Sequence, residues 1–408
     1  MPMKTPILLT AQEAEVIRAL RKKGLISRTQ ISDITGWSKA KTSIEIRTLI
    51  DKGYLVEKDE GLSEGGRKPK LLRFNDQLGF IVGIDIGATS IDVLLADVFG
   101  NILQHVSEPG DVRQPPKTVL AHCRKLVDQI LNLQGCQGDQ ILGIGVGVPG
   151  PVDFSRGVLV APPLMPDWEN FPIRSYLKEA YPSAYVVVDN DVNIMALGEQ
   201  RYGDAVGLDH FIFIKIGTGI GSGIISNGKI HRGSNGCAGD IGHICVDKQG
   251  PICRCGNRGC LEAMAAGPAI TEKAIKAAQN GESELLLRLM KENEGIMTPE
   301  LVSAACREGD EAALEIIRSS GQMIGDVLAS LVNFFNPSHI FIAGGISNFG
   351  NHLLVAIKRA VLRRSLPLAT TDLQINFSHI GAIAGNKGVI ALVLEYLFVD
   401  EDKPFLNV

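Results

Sequence analysis

The sequence predicts a small helical head with a β-ribbon, followed by a larger two-lobed α/β body. Three observations carry that expectation. Composition changes near residue 77, from helical periodicity with basic residues to apolar strands separated by glycine turns. Within the body, "FIVGIDIGATSIDVLLADVFG" and "FIFIKIGTGIGSGIISNG" repeat one design, a buried strand, a glycine-rich turn and a returning strand. A duplicated unit of this kind implies two lobes with a cleft between them. Finally, "ILGIGVGVPGPVD", "AYVVVDNDVN" and "SHIFIAGGIS" are apolar strands that run into turns, the last two opening helices, as in doubly wound sheets.

Length and composition narrow the class. The 408 residues suffice for two or three domains with their own cores. The opening "MPMKTPILLTAQEAEV" has no long apolar run, and no apolar stretch of about 18 residues occurs, so neither a secretory leader nor a membrane span is expected. A cytoplasmic protein is the expectation. Eight cysteines in this length do not make a secreted disulfide framework, and clustered thiols in a reducing compartment favour metal binding or catalysis. The chain carries a net charge of −4. Residues 1–75 hold fifteen Lys and Arg against nine Asp and Glu, a surplus of six positive charges, which leaves −10 on the remainder. A basic head on an acidic body suits a polyanionic partner; an ordinary solvated surface is the alternative.

In the head, "AQEAEVIRALRKKG" places Val16, Ile17 and Leu20 at helical spacing and stops at Gly24. "SRTQISDITG" follows with Ser27 as N-cap, Ile31 and Ile34 facing inward, and Gly36 as its end. A turn at Gly36-Trp37 leads to "SKAKTSIEIRTLIDKG", capped by Ser38 and carrying Ile44, Ile46, Leu49 and Ile50. Short helix, turn and longer helix form the helix-turn-helix arrangement, and "YLVEKDEGLSEGGRKPKLLRFN" reads as a β-wing. Ser38, Lys39, Lys41, Thr42, Ser43 and Arg47 on the second helix, with Arg67 and Lys68 on the wing, are the candidate contacts to duplex DNA. A three-helix protein-interaction module remains the competing reading of the same pattern.

In the body, glycine turns let backbone N–H groups approach phosphate oxygens, and threonine hydroxyls add donors. Asp85, Gly87 and Thr89 in the first turn, and Gly217, Thr218 and Gly219 in the second, are therefore candidate nucleotide-phosphate contacts. An aspartate such as Asp85 can hold nucleotide magnesium through water. Gly344 and Gly345 open a helix on the expected adenosine side. Asp191, at a strand end before a helix, is placed as a general base, while Asn190 or Asp191 could equally cap that helix.

"GPICRCGNRGCLE" puts Cys253, Cys255 and Cys260 within eight positions. Three thiolates need a fourth ligand to close a tetrahedral zinc site, and His243 lies ten residues upstream. Cys237 and Cys245 are spare candidates for that fourth place. A redox pair and inert buried thiols are the competing readings.

The ordered motifs "DIGATS", "GVPGPVD", "DNDVN", "GTGIGSG", "GDIGHI" and "CRCGNRGCLE" resemble the ROK family (repressor, open reading frame, kinase) over residues 80 to about 395. That resemblance implies an actin–hexokinase-like ROK domain. The preceding helix-turn-helix with "GGRKPKLL" resembles the family's repressor branch, with its N-acetylglucosamine-, xylose- and glucose-responsive members. The resemblance implies a structural zinc on His243, Cys253, Cys255 and Cys260, and sugar contacts from Asn190, Asp191, Asp240, His243 and Glu262. In kinase members the residue at Asp191 is the catalytic base that takes the proton of the attacking hydroxyl. Two departures stand out. Ala88 and Ser90 replace Gly and Lys of the family's usual "DIGGTK", and Asp240 replaces the Glu of "GEIGH". The first bears on ATP binding, the second on sugar preference.

The resulting expectation has three parts: residues 1–77 as a winged helix-turn-helix, 78–190 with 384–408 as a first lobe, and 191–383 as a zinc-bearing second lobe. Its functional counterpart is a sugar-responsive repressor that binds a double-stranded operator and a sugar or sugar phosphate, as a homodimer or homotetramer. The alternatives are an ATP-dependent sugar kinase, using Mg-ATP with Asp191 as base and carrying a DNA-binding head, or a scaffold without a small ligand.

Overall fold

The computed structural model describes residues 7–58, 70–75 and 77–400. The head contains three helices, Ala11–Lys23 (α1), Arg28–Thr35 (α2) and Lys39–Asp51 (α3). Short polar side chains start each of them. Thr10 and Glu13 form a reciprocal capping box, Ser27 and Gln30 form another, and Ser38 accepts from the Lys41 N–H. Gly36 ends α2 in the left-handed conformation, which turns the chain toward α3. Val16, Ile17, Leu20, Ile31, Ile46 and Leu49 are buried between the helices. A three-stranded antiparallel sheet closes this core, ordered Ile26–Ser27, Leu71–Phe74, Leu55–Lys58. Glu57 on its edge pairs with Arg28 of α2 and with Lys70, which ties the sheet to the helices.

The head corrects two expectations. Thr42 is 1% exposed, with its hydroxyl 3.0 Å from that of Ser32, so it joins α2 to α3 and is not presented outward. Ile34 is 50% exposed instead of inward, and Ile44 on α3 is 64% exposed. The cause is helical phase: Thr42, Ile46 and Leu49 share the buried stripe, and Ile44 lies opposite them. The wing residues Arg67 and Lys68 lie outside the described residues.

The body holds two five-stranded sheets of one topology. In the first, Phe80–Ile86, Ser90–Ala96 and Ile102–Pro109 form an antiparallel meander. Ile141–Val148 then adds in parallel beside Phe80–Ile86, and Tyr185–Asn190 beside that. In the second, Phe211–Ile216, Ile220–Ser226 and Lys229–Ile230 form the meander, and His339–Ala343 and Gln374–Phe377 add in parallel. Counted within each lobe, both sheets run 3-2-1-4-5, which is the duplication suggested by the repeated strand units.

Two helices join the lobes. The hinge helix Asp191–Tyr202 continues directly from the last strand of the first sheet and packs on the meander of the second. The C-terminal helix Ala384–Leu397 lies across the first sheet and against the hinge helix. Glycine sets their separation. A methyl at Gly198 would strike the Ala384 carbonyl, and one at Gly388 would strike the carbonyl of Ile194. Arg232, from the second lobe, adds a buried tie: it donates twice to Asp189 Oδ2 (2.9 and 2.7 Å), once to the Tyr396 hydroxyl (2.9 Å), and stacks on Phe154.

The head is joined to the body through both ends of its fold. Phe74 meets Phe99 of the first lobe edge-on at 5.7 Å, and the segment Ile7–Leu9 pairs in parallel with Phe398–Asp400, immediately after the C-terminal helix. Among the described residues, no helix is long and apolar enough to cross a membrane.

The crossing yields a stability prediction. Gly388→Ala forces a methyl against backbone that cannot rotate away, so the body should lose about 1–3 kcal/mol, read as a lowered thermal midpoint. An unchanged midpoint would show that the two helices separate freely.

Candidate ligand cleft and metal centre

A cleft of about 840 Å³ opens between the lobes, a size suited to a small organic ligand. The first turn contributes Gly87, Ala88, Thr89 and Ser90; the second contributes Gly217, Thr218 and Gly219. Asn190, Asp191, Asp240, His243, Glu262 and Gly345 also line it, so residues distant in sequence converge there. Two expected contacts do not. Asp85 is recessed behind the wall, its carboxylate beside Gly147 and Gly385, and Gly344 is turned toward the carbonyl of Ile216.

Asn190 is the N-cap of the hinge helix. Its Oδ1 accepts from the N–H groups of Val192 and Asn193, and its Nδ2 donates to the Gly150 carbonyl at 2.9 Å. The cap therefore binds the 149–151 loop to the helix that carries Asp191. Asp191 is 6% exposed and has both oxygens engaged. Oδ1 accepts from the Val192 N–H at 2.9 Å, and Oδ2 accepts from Lys215 Nζ at 2.6 Å. Lys215 was missed from the sequence. Its signal was present, a single charge inside the apolar strand "FIFIKIG" just before the second glycine turn.

Across the cleft, Glu262 Oε2 accepts from the Ile220 N–H at 3.1 Å, which holds the second glycine turn against the short helix Leu261–Ala265. Asp240 Oδ1 lies 3.8 Å from His243 Nε2. The other nitrogen of that imidazole, Nδ1, lies 3.6 Å from Cys253 Sγ. His243 thus connects the cleft wall to the cysteine cluster through its two ring positions.

The cluster is built by tight turns. The Cys253 N–H donates to the Asn257 carbonyl and the Gly256 N–H to that of Cys253, while a side chain at Gly259 would overlap the Asp247 carbonyl. His243, Cys253, Cys255 and Cys260 bring their ligand atoms within 4.8 Å of one another. Cys255 and Cys260 are 3.7 Å apart at sulfur. With Zn–S of about 2.3 Å and Zn–N of about 2.0 Å, a tetrahedral centre requires S···S near ~3.8 Å and S···N near ~3.5 Å. The four residues fit such an ion. Burial pushes Cys253 upward and Cys260 up to about 12, while Cys255, whose burial is outweighed by the Asn257 N–H and the neighbouring thiols, is lowered. Cys237 and Cys245 are exposed and outside the set.

Known proteins resemble the chain in sequence and in fold. A model of the ROK family matches residues 81–396. The chain is 33% identical over 380 residues to the xylose repressor of Caldicellulosiruptor bescii, covering 93% of this chain and 94% of that protein. The structure is similar to a ROK family transcriptional regulator, a homolog of the E. coli MLC protein, at 27% identity and a TM-score of 0.81, covering 94% of this chain and 96% of the other. It is also similar to a ROK family glucokinase from Streptomyces griseus, solved with glucose and AMPPNP, at 30% identity and a TM-score of 0.68; there the match covers 77% of this chain and 99% of the glucokinase.

The recessed carboxylate gives a pH prediction. Burial pushes Asp85 up to about 7, with Asp191 and Asp92 adding repulsion and Lys215 opposing it. The folded chain therefore keeps a proton that the unfolded chain releases near its ordinary range. Stability from this group is complete below about pH 4 and is lost as pH rises through about 7. Asp85→Asn should stabilise the protein at pH 8, on the order of 1–3 kcal/mol, with little effect at pH 4. Thermal unfolding at the two pH values checks it; equal shifts at both would contradict it.

Proposed function

The chain belongs to the ROK family, and from that membership we infer that it is a sugar-responsive transcriptional repressor. One observation carries the reading. The repressor and regulator relatives correspond to this chain over 93% and 94% of its length, head included, whereas a nearly whole glucokinase accounts for only 77%.

The head acts as a winged helix-turn-helix. Its second helix, α3, presents Lys39, Lys41, Ser43 and Arg47 from an exposed face, with Lys41 lying over the Trp37 ring at 4.5 Å. Lys39, Lys41 and Arg47 supply phosphate or base-edge donors. Ser38, already capping α3, helps fix the helix N-terminus toward the phosphate backbone. The exposed Ile44, with Ala40 beside it, offers an apolar surface for thymine methyl groups. Paired half-sites require paired heads, so the working form is a homodimer or higher oligomer.

The cleft is the effector site. Asn190, Asp191, Asp240, His243 and Glu262 form an acceptor-rich rim suited to the adjacent hydroxyls of a sugar, and the xylose repressor relative makes xylose the first sugar to test. Zinc, held by His243, Cys253, Cys255 and Cys260, is structural: four protein ligands leave no open position. With Nδ1 on the metal, the His243 Nε2–H is fixed as a donor on the cleft side.

Operator binding measured by gel shift should weaken on the order of a thousandfold between about 50 and 200 mM salt. A cognate sugar should lower operator affinity by about tenfold or more with no nucleotide present. A genomic selection that recovers no preferred sequence would end the repressor reading.

Metal analysis of reduced, freshly purified protein should give about one zinc per chain. Cys255→Ser should lose the metal and lower the thermal midpoint of the second lobe, because metal binding and folding are coupled. Zinc-free wild-type protein would overturn the assignment.

A further inference from the structure

The second asparagine of "DNDVN", Asn193, lines the cleft from the hinge helix and is only 2% exposed. Its amide is fixed in orientation. Nδ2 donates to Asp189 Oδ1 at 3.0 Å, and a carboxylate only accepts, so the amide oxygen is the end left over. That Oδ1 is buried and has no hydrogen-bond partner. Among the described residues, it is the one such buried side-chain atom that belongs to the cleft wall. Leaving a buried acceptor unsatisfied is costly, and a donor brought by a ligand recovers that cost.

Asp189 continues the connection away from the cleft. Its second oxygen accepts twice from Arg232, at 2.9 and 2.7 Å, and Arg232 donates in turn to the Tyr396 hydroxyl at 2.9 Å. The guanidinium has little freedom, since it is mostly buried and lies 3.8 Å from the centre of the Phe154 ring. Three separate parts of the body are thereby linked: the last strand of the first sheet, the second lobe and the C-terminal helix. Tyr396 stands in the last turn of that helix. Soon after it comes Phe398–Asp400, whose backbone pairs with Ile7–Leu9, the segment that leads into α1 of the head. A continuous run of hydrogen bonds therefore leads from an unsatisfied acceptor in the cleft to the attachment of the head.

We propose that Asn193 senses the effector: its Oδ1 accepts a hydroxyl of the bound sugar, and Asp189, Arg232 and Tyr396 carry that contact to the head. The inference rests on the receptor reading given above and names the side chains that couple the cleft to the operator. A hydroxyl donated to Oδ1 polarises the amide and strengthens its Nδ2–H bond to Asp189, because linked hydrogen bonds reinforce one another in a low dielectric. The charge of Asp189 is shared between its donors, so a firmer hold by Asn193 loosens the hold on Arg232 and on the helix end beyond it. Asn193 is the binding residue here; Tyr396, remote from the ligand, is a positioning residue. Only a measured coupling separates such a path from mere adjacency.

Titration calorimetry and gel shift on the full-length protein test the contact and the relay separately. The probes are D-xylose, D-glucose and N-acetyl-D-glucosamine, and the DNA is the fragment recovered by genomic selection. In Asn193→Leu and Asn193→Ser, affinity for the sugar that acts on the wild type should fall about tenfold or more. In Tyr396→Phe, which keeps the ring, sugar affinity and operator affinity measured alone should each stay within about twofold of wild type. Sugar should weaken operator binding by this variant less than about threefold, against about tenfold or more in the wild type. Full wild-type coupling in Tyr396→Phe overturns the relay. Loss of its operator binding before any sugar is added also overturns it, since the hydroxyl is then a structural prop. Unchanged sugar affinity in a folded Asn193 variant overturns the contact; if neither variant folds, Tyr396→Phe decides alone. A wild type that binds operator but responds to none of the three sugars fails at the receptor reading itself, and the proposal falls with it.

Discussion

The crossing of the hinge helix and the C-terminal helix is the constraint on which the rest of the body depends. Gly198 and Gly388 let the two backbones touch, so their separation is set by main-chain atoms instead of by side chains able to change rotamer. The hinge helix begins at Asn190 and Asp191 on the cleft; the C-terminal helix ends at the segment that pairs with Ile7–Leu9 of the head. Gly143 and Gly145 in the first sheet extend the same close approach, since a methyl at either would collide with Val393 or Val389. One rigid junction therefore positions the first lobe, the cleft floor and the head.

Charge inside that junction is handled in different ways, and the differences follow from geometry. Asp189 and Arg232 form a fully partnered pair: the guanidinium donates twice to the carboxylate and once to Tyr396 while covering Phe154. Such a pair gains little over apolar packing, but removing either partner would strand a buried charge, so it acts as a lock on lobe orientation. Asp191 and Lys215 make a second pair at the cleft. Asp85, facing the same ammonium with Asp191 already there, has no cation of its own, and a proton relieves it near neutral pH. The cysteine cluster concentrates thiols where protons or a metal must carry the balancing charge.

Much of this was legible in the sequence, for physical reasons that local patterns report. Ser27, Ser38 and Asn190 each precede a helix with a short polar side chain, and each caps it. The twin strand–turn–strand units announced two related sheets, and the ordered ROK motifs announced the family. What local patterns do not carry is phase and partnership. Thr42 reads as a donor by residue type, yet Ser32 across the turn takes its hydroxyl inward. Ile44 and Ile46 look equivalent on paper, and only the helix axis separates them. Asp191 matched the position of a base, but its meaning depends on a lysine in another strand. Arg232 and Tyr396 meet only after the chain has built the second lobe between them.

A receptor on this scaffold needs ligand contacts that change in strength with the arrangement of the lobes. The cleft wall offers that arrangement, because Asp191 stands on the hinge helix while Asp240 and Glu262 stand on the second lobe. Operator affinity depends in turn on where the head lies, and the head is fastened to the segment that follows the C-terminal helix and to Phe99. Both dependences pass through one helix crossing. The energy involved is modest, since a tenfold change in operator affinity corresponds to about 1.4 kcal/mol. That is no more than the ~1–3 kcal/mol that one misplaced methyl costs in a packed interior. A small shift at the crossing is therefore sufficient to carry the coupling, and reciprocity follows. Whatever factor the sugar takes from operator binding, the operator takes from sugar binding.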